Sequence, residues 1–359
     1  MVSGARDVPM PHDRAHETTM NRLTSHPARP VRVLRVLASQ HVDSTRMLRP
    51  GDFVTEAVAQ AASPREVDDW QRYVPLCVDW REARLLYSRW DDDCAMTDVP
   101  FLYQRQRRTA RWLLEVPFEH LDTSGRATHM APTFIFSVGR CGSTLLSRLL
   151  AAVGEQAVSE PDVLTNVAHF DDDAERAAAD GARERIVQNC VAAFEPACGR
   201  KPIIKLRARC NRAVDVFLNA MPAAHYVFMC RNRDDWVRSN SRAFGDSGEA
   251  LADLLKASVE AFDRMHAASV DPTLVWYEDL LADPVGALQR ILPARTDLDT
   301  YRAAIEQALG TDAQEGSNLS RASLAARVDD AGALAAFEAC WREIRPERLL
   351  NLHGLSQLR

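Results

Sequence analysis

Residues 133–154, Thr-Phe-Ile-Phe-Ser-Val-Gly-Arg-Cys-Gly-Ser-Thr-Leu-Leu-Ser-Arg-Leu-Leu-Ala-Ala-Val-Gly, change character twice. An apolar run rich in aromatic and β-branched side chains, Phe134 to Val138, gives way to a tight Gly-Arg-Cys-Gly-Ser-Thr turn, and leucines at helical spacing follow. The stretch reads as strand, loop and helix. Leu145, Leu146, Leu149, Leu150 and Val153 share one helix face, and Gly154 stands where a left-handed C-terminal cap is expected. The loop therefore sits at a helix N-terminus, whose unpaired N–H groups and partial positive charge favour a phosphate or sulfate. Gly139 and Gly142 allow close backbone approach, Ser143 and Thr144 add hydroxyls, and Arg140 adds a permanent charge. Glycines at this spacing also suit a packing turn with no ligand, so the rest of the chain has to decide. A nucleotide-kinase loop would read G-x-x-x-x-G-K-[ST]. Here two residues separate the glycines and Ser143 takes the lysine's place, which disfavours an ordinary ATP or GTP site.

With 359 residues and 46% hydrophobic content, the chain can bury a large core in one domain or two. A formal net charge of −6 argues against a general nucleic-acid or membrane-surface binder, so anion binding has to be local. The eight cysteines form no C-x-x-C pair and read as buried reduced thiols. Cys141, in the loop, reads as a small filler although a helix N-terminus lowers thiol pKa. Residues 1–30 lack the apolar segment of a signal or anchor and are expected to be a disordered arm. His12, His16 and His26 lack metal-site spacing, and no run approaches the ~18 apolar residues that span a bilayer. A cytoplasmic, metal-free protein is expected.

Residues 31–130 read as a helical extension packed on the core. Ser63-Pro64-Arg65-Glu66 suggests a helix start, Trp80 to Trp90 an amphipathic run, and the basic stretch 104–112 a solvated helix face. After the central stretch come a short extended piece, Ala157 to Pro161, and a helix from about Asp173 to Phe194. Strands follow at 202–206, 224–230 and 273–277, separated by helices near 211–220, 233–244 and 249–268, with another near 284–292. This alternation predicts an α/β fold: a three-layer, P-loop-like arrangement with a central parallel sheet flanked by helices, spanning 131–359 and ending in a helical tail. Ligands in such sheets sit at the carboxyl ends of the strands, where Arg140, Lys205 and Arg231 all fall.

These segments resemble the sulfotransferases that use 3′-phosphoadenosine 5′-phosphosulfate (PAPS), in the bacterial style. Gly139-Arg140-Cys141-Gly142-Ser143-Thr144 is similar to that family's 5′-phosphosulfate loop, usually Pro-(Lys/Arg)-Ser-Gly-Thr-Thr. Tyr226 to Asp234, with Arg231 at a strand end and Ser239 eight residues on, resembles its 3′-phosphate segment. Tyr277-Glu278-Asp279-Leu280 with Asp283-Pro284 resembles a turn common in bacterial members. Gly139 replaces the usual proline and Cys141 the usual serine. The Arg-Lys-Gly segment of cytosolic animal members is absent, and Arg321 in the Ser-Asn-Leu-Ser-Arg loop could stand in for it.

The resemblance implies transfer of the PAPS sulfuryl group to a hydroxyl or amine of a small-molecule or peptide acceptor, releasing adenosine 3′,5′-bisphosphate (PAP). Such transfer relies on in-line positioning and charge stabilisation, for which Arg140 and the loop N–H groups are placed. Lys205 matches a lysine that related enzymes bring to the site, and Glu160 stands where some members place a glutamate base. His169 and His225 are the nearest histidines that could replace it. The competing reading is a P-loop kinase of a small molecule or nucleotide.

Overall fold

The computed structural model describes residues 28–42, 45–90, 94–122, 130–198, 201–312, 323 and 332–343. The expected helical extension is instead an antiparallel sheet of β1 (Val31–Ser39), β2 (Phe53–Ala61), β3 (Tyr73–Asp79), β4 (Arg84–Arg89) and β5 (Trp112–Pro117), in the order β2-β1-β5-β4-β3. Among the described residues its one α-helix is α1 (Leu102–Thr109), and Pro64–Glu66 is a single 3₁₀ turn. The amphipathic run at 80–90 is the turn and second strand of the β3–β4 hairpin.

Periodicity misleads here for two physical reasons. Register shifts after Val33 and Val36 break the alternation of β1 against β2. Residues Tyr73–Val78 of β3 are buried on both faces, so they form a continuous apolar run rather than a period of two. The basic stretch is only in part a solvated face: Arg108 and Arg111 are exposed, whereas Arg107 of α1 is fully buried, donating to Asp52 Oδ2 (3.1 Å) and the Arg46 carbonyl (2.8 Å).

The second sheet is parallel, as expected. It comprises β6 (Thr133–Ser137), β7 (Ala157–Ser159), β8 (Ile203–Lys205), β9 (His225–Cys230) and β10 (Thr273–Trp276), in the order β10-β9-β6-β8-β7. The short extended piece after the first helix is thus its edge strand. The connections carry α2 (Ser143–Ala152), α3 (Asp162–Asn166), α4 (Asp173–Ala178), α5 (Arg183–Cys198), α6 (Val214–Ala220), α7 (Arg233–Phe244) and α8 (Gly248–Ala267). After β10 come α9 (Tyr277–Ala282), α10 (Pro284–Ile291), α11 (Arg302–Gly310) and α12 (Ala333–Glu343). The helix expected at 173–194 is split at Gly181, which adopts a left-handed φ of 69°.

All five residues of β6 are buried, because helices cover both faces of the sheet. Phe134 and Phe136 point to one face, where both meet Phe217 of α6 edge-on. Helices α2, α10 and α11 pack with one another, and α5, α6 and α8 form a second group. One continuous apolar core runs from Tyr87 and Leu114 of the antiparallel sheet to Phe134 and Phe228 of the parallel one. Buried polar bonds reinforce the junction. Tyr87 Oη donates to Asn189 Oδ1 (2.5 Å), the Val78 N–H to Asn166 Oδ1 (2.9 Å) and the Leu48 N–H to Asp162 Oδ2 (2.7 Å).

Candidate active site

The carboxyl ends of all five parallel strands open onto one cleft of about 1480 Å³. Strand β6 delivers the loop. Gly139, Arg140 and Gly142 all have left-handed φ values, of 76°, 47° and 83°. A Cβ on Gly142 would fall 2.4 Å from the ring of Tyr277, so only glycine fits there. Gly142 is also the N-cap of α2 and supplies no capping side chain, leaving the first turn of that helix without a side-chain cap. Trp236 of α7 anchors the loop from behind, donating from Nε1 to the Gly139 carbonyl (2.8 Å).

Arg140 lines the cleft, and its Nε donates to Ser239 Oγ at 3.4 Å. Arg231, just past β9, lies with its guanidinium carbon 4.6 Å above the Tyr277 ring. Its Nη1 reaches the Arg140 carbonyl at 3.3 Å, its buried Nε has no hydrogen-bond partner, and it forms no ion pair among the described residues. Ser239, Ser143 and Thr144 complete this wall.

Glu160 follows β7 in a left-handed conformation (φ 53°), and its N–H bonds the Lys205 carbonyl at 2.8 Å. Glu160 and Arg140 are both non-glycine residues held in a sparsely populated backbone region at the rim of one cleft, a form of strain that clusters at functional sites. Lys205 Nζ donates to Glu160 Oε1 (2.7 Å), Thr144 Oγ1 (3.1 Å) and Ser159 Oγ (3.3 Å). The lysine side chain is 1% exposed and the glutamate 17%, so Glu160 meets the cleft and Lys205 lies beneath it.

Arg140, Gly139, Gly142, Ser143, Thr144, Glu160, Arg231 and Ser239 therefore meet at one cleft. Lys205 reaches it only through its partners. Cys141 does not line it: its side chain is fully buried, and burial pushes its thiol up rather than down. Its place in the loop is a backbone one. Arg321 lies outside the described residues. His225 is at the amino end of β9, bonded to Thr273 Oγ1, whereas His169 lines the cleft. Burial, and then the charge of Arg209, hold the His169 imidazole below its ordinary value.

Several wall residues have no sequence signal. Arg207 is pinned by donating to Asp162 Oδ1 (2.7 Å) and the Thr45 carbonyl (2.7 Å), with its plane over the Tyr103 ring at 4.6 Å. Phe101, whose ring faces Lys205 Nζ at 5.4 Å, and Tyr103, its phenol pushed up to about 12 by burial, bring the first sheet's helical connection into the same cleft. Among the described residues no His, Cys, Asp or Glu group is placed to hold a metal ion, and no helix is long and apolar enough to cross a membrane.

The parallel sheet thus gathers a glycine loop, two arginines and a paired carboxylate at its strand ends. Residues 132–296, a little under half of the chain, match the model of the sulfotransferase family. Among solved structures, the chain is similar to the sulfotransferase STF1 from Mycobacterium tuberculosis H37Rv, at 16% identity and TM-score 0.40, over 65% of this chain and 79% of that one. It is also similar to a sulfotransferase from Alicyclobacillus acidocaldarius, at 14% identity and TM-score 0.32, over 65% and 100%. At these scores neither likeness bears on the chemistry. No curated protein matches the chain.

Proposed function

We propose that the protein moves the sulfuryl group of PAPS to a hydroxyl or amine acceptor by in-line displacement, with Glu160 as general base. The observation that carries this reading is Arg231: a guanidinium at a strand end, stacked on Tyr277, with a buried Nε lacking any partner and no ion pair among the described residues. A group so presented suits an anion, and the 3′-phosphate is the anion it would hold, with Ser239 beside it. The glycine fit at Gly142 and the uncapped start of α2 suit the phosphosulfate. When bound, the donor supplies an activated sulfuryl group on a phosphate leaving group.

Arg140 and the loop N–H groups would stabilise charge on the departing phosphate. Lys205 holds Glu160 Oε1 and, through Thr144, ties that carboxylate to the first turn of α2. It is thus a positioning residue. Glu160 Oε2, without a hydrogen bond among the described residues, is left to accept the acceptor's proton. The kinase alternative lacks support, since no lysine lines the cleft among the described residues.

The test compares PAP with ATP by calorimetry and measures PAPS consumption with mixed alcohols and phenols. PAP should bind and ATP should not. Gly142→Ala, which forces a Cβ into the Tyr277 ring, should weaken PAP binding about tenfold or more. Binding of ATP in preference to PAP would reject the reading.

A further inference from the structure

The two halves of the cleft differ. Over β6, β9 and β10 stand Arg140, Arg231, Ser239 and Tyr277. Beyond β7 and β8 come Glu160, Arg207 and Arg209, with Phe101 and Tyr103 lining the same cleft and Arg207 over the Tyr103 ring. If Glu160 takes the acceptor's proton, this second half is where the acceptor lies.

Charge in that half is unevenly compensated. Arg207 is paired with the buried Asp162 at 2.7 Å, and Arg212 with Asp253 at 2.5 Å. Arg209 forms no ion pair among the described residues. Its side chain is open to the cleft, yet partial burial and then the neighbouring Arg207 hold its pKa below the ordinary arginine value. It remains protonated, because arginine does not lose its proton in proteins. Asp246, also lining the cleft, comes close enough to be influenced by Arg209 but makes no ion pair with it among the described residues, and burial pushes its carboxyl up. His169, which also lines the cleft, is held toward the neutral form by burial and then by the charge of Arg209.

Position adds to charge. Arg209 lies on the 3₁₀ turn Ala208–Ala213 that follows β8, and the Cβ of Ala208 would lie 3.3 Å from a Cβ at Gly139, so this turn abuts the anion loop. A guanidinium with no ion pair among the described residues thus lines the cleft on the turn after β8, which abuts the anion loop.

We propose, building on the sulfuryl-transfer reading, that the acceptor is a hydroxyl compound bearing a carboxylate, and that Arg209 binds that carboxylate while Glu160 faces the hydroxyl. A single guanidinium matches a monoanionic carboxylate through two parallel N–H···O bonds. Arg209 is then a specificity residue for the acceptor, outside the donor half of the cleft.

The experiment uses the full chain, PAPS, and phenols, alcohols and sugars supplied as matched pairs, each as its carboxylate and as the isosteric primary amide. PAP calorimetry runs in parallel on every variant. The wild type should favour the acid of the best pair by about tenfold to a hundredfold in kcat/KM. Arg209→Gln should bring the ratio near one through a raised KM for the acid, and Arg209→Glu should invert it, both with unchanged PAP affinity. Equal use of acid and amide by the wild type, an unchanged ratio in Arg209→Gln, or PAP binding without turnover of any acid would overturn the proposal while leaving the donor assignment standing. Absence of PAP binding to the wild type would overturn both.

Discussion

In the parallel sheet, β6 and β9 are buried almost from end to end and hand Arg140 and Arg231 to the loops beyond them, while β8 ends on Lys205. In the antiparallel sheet the charges sit within the strands and are settled there, Arg32 and Arg84 both lying beside Glu115. Parallel strands run the same way, so their loops leave from the same end and bring distant residues together. Antiparallel strands send alternate loops to opposite ends. The first arrangement gathers charge at a cleft. The second provides a scaffold, contributing Thr45, Phe101 and Tyr103 as wall and fastening itself through Tyr87, Val78 and Leu48.

That contrast can be broken at several points. The largest effect is expected at the strand-end carboxylate: Glu160→Gln should lower kcat ~10²-fold or more with PAP affinity retained. Near-normal turnover would move the base to His169. Next comes Arg231→Ala, for which calorimetry should register PAP binding weakened about tenfold to a hundredfold, with a smaller change in turnover at saturating donor. Unchanged affinity would remove Arg231 from the donor site.

On the scaffold side the effects should appear in stability and leave the chemistry alone. Tyr87→Phe strips the 2.5 Å bond from buried Asn189 and should cost ~1–3 kcal/mol in denaturant titrations, with PAP affinity unaltered. A parallel loss of PAP binding would mean that the two sheets are coupled more tightly than this division allows. The smallest effect is expected at Glu119, where the hydrogen bond from Arg29, opposed by slight burial, holds the carboxyl down at about 2 against an ordinary 4.5. Its contribution is present above pH 4.5 and lost as pH falls through about 2. Both side chains are more than a third exposed, so Glu119→Gln should change stability by less than ~1 kcal/mol at pH 7, and the wild type should lose that advantage in acid.

The elements around the anion loop were legible because their signals are local. An aromatic run, two glycines and a leucine face lie within residues 133–154, and the helix at 233–244 announces itself with Asn232, whose side chain accepts from Asp234 and Asp235. β7, at three residues, is too short to show a period, and it became a strand only by pairing with β8. The antiparallel sheet was misread because bulges in β1 and two-sided burial of β3 erase the alternation that marks a strand. Arg107, in the stretch read as a solvated face, and Arg207, which carries no local signal, are held by Asp52 and Asp162, far away in sequence.

The chain's order of residues alone determined the anion loop, the parallel α/β class and the set of charged residues at the strand ends, since each depends on neighbours within a few positions. Only the tertiary structure decided that Lys205 lies beneath Glu160 rather than in the cleft, that Cys141 is buried, and that Phe101, Tyr103 and Arg209 line the same cleft. Those outcomes depend on which distant atoms desolvate or pair with a group, and such partners exist only once the two sheets have packed.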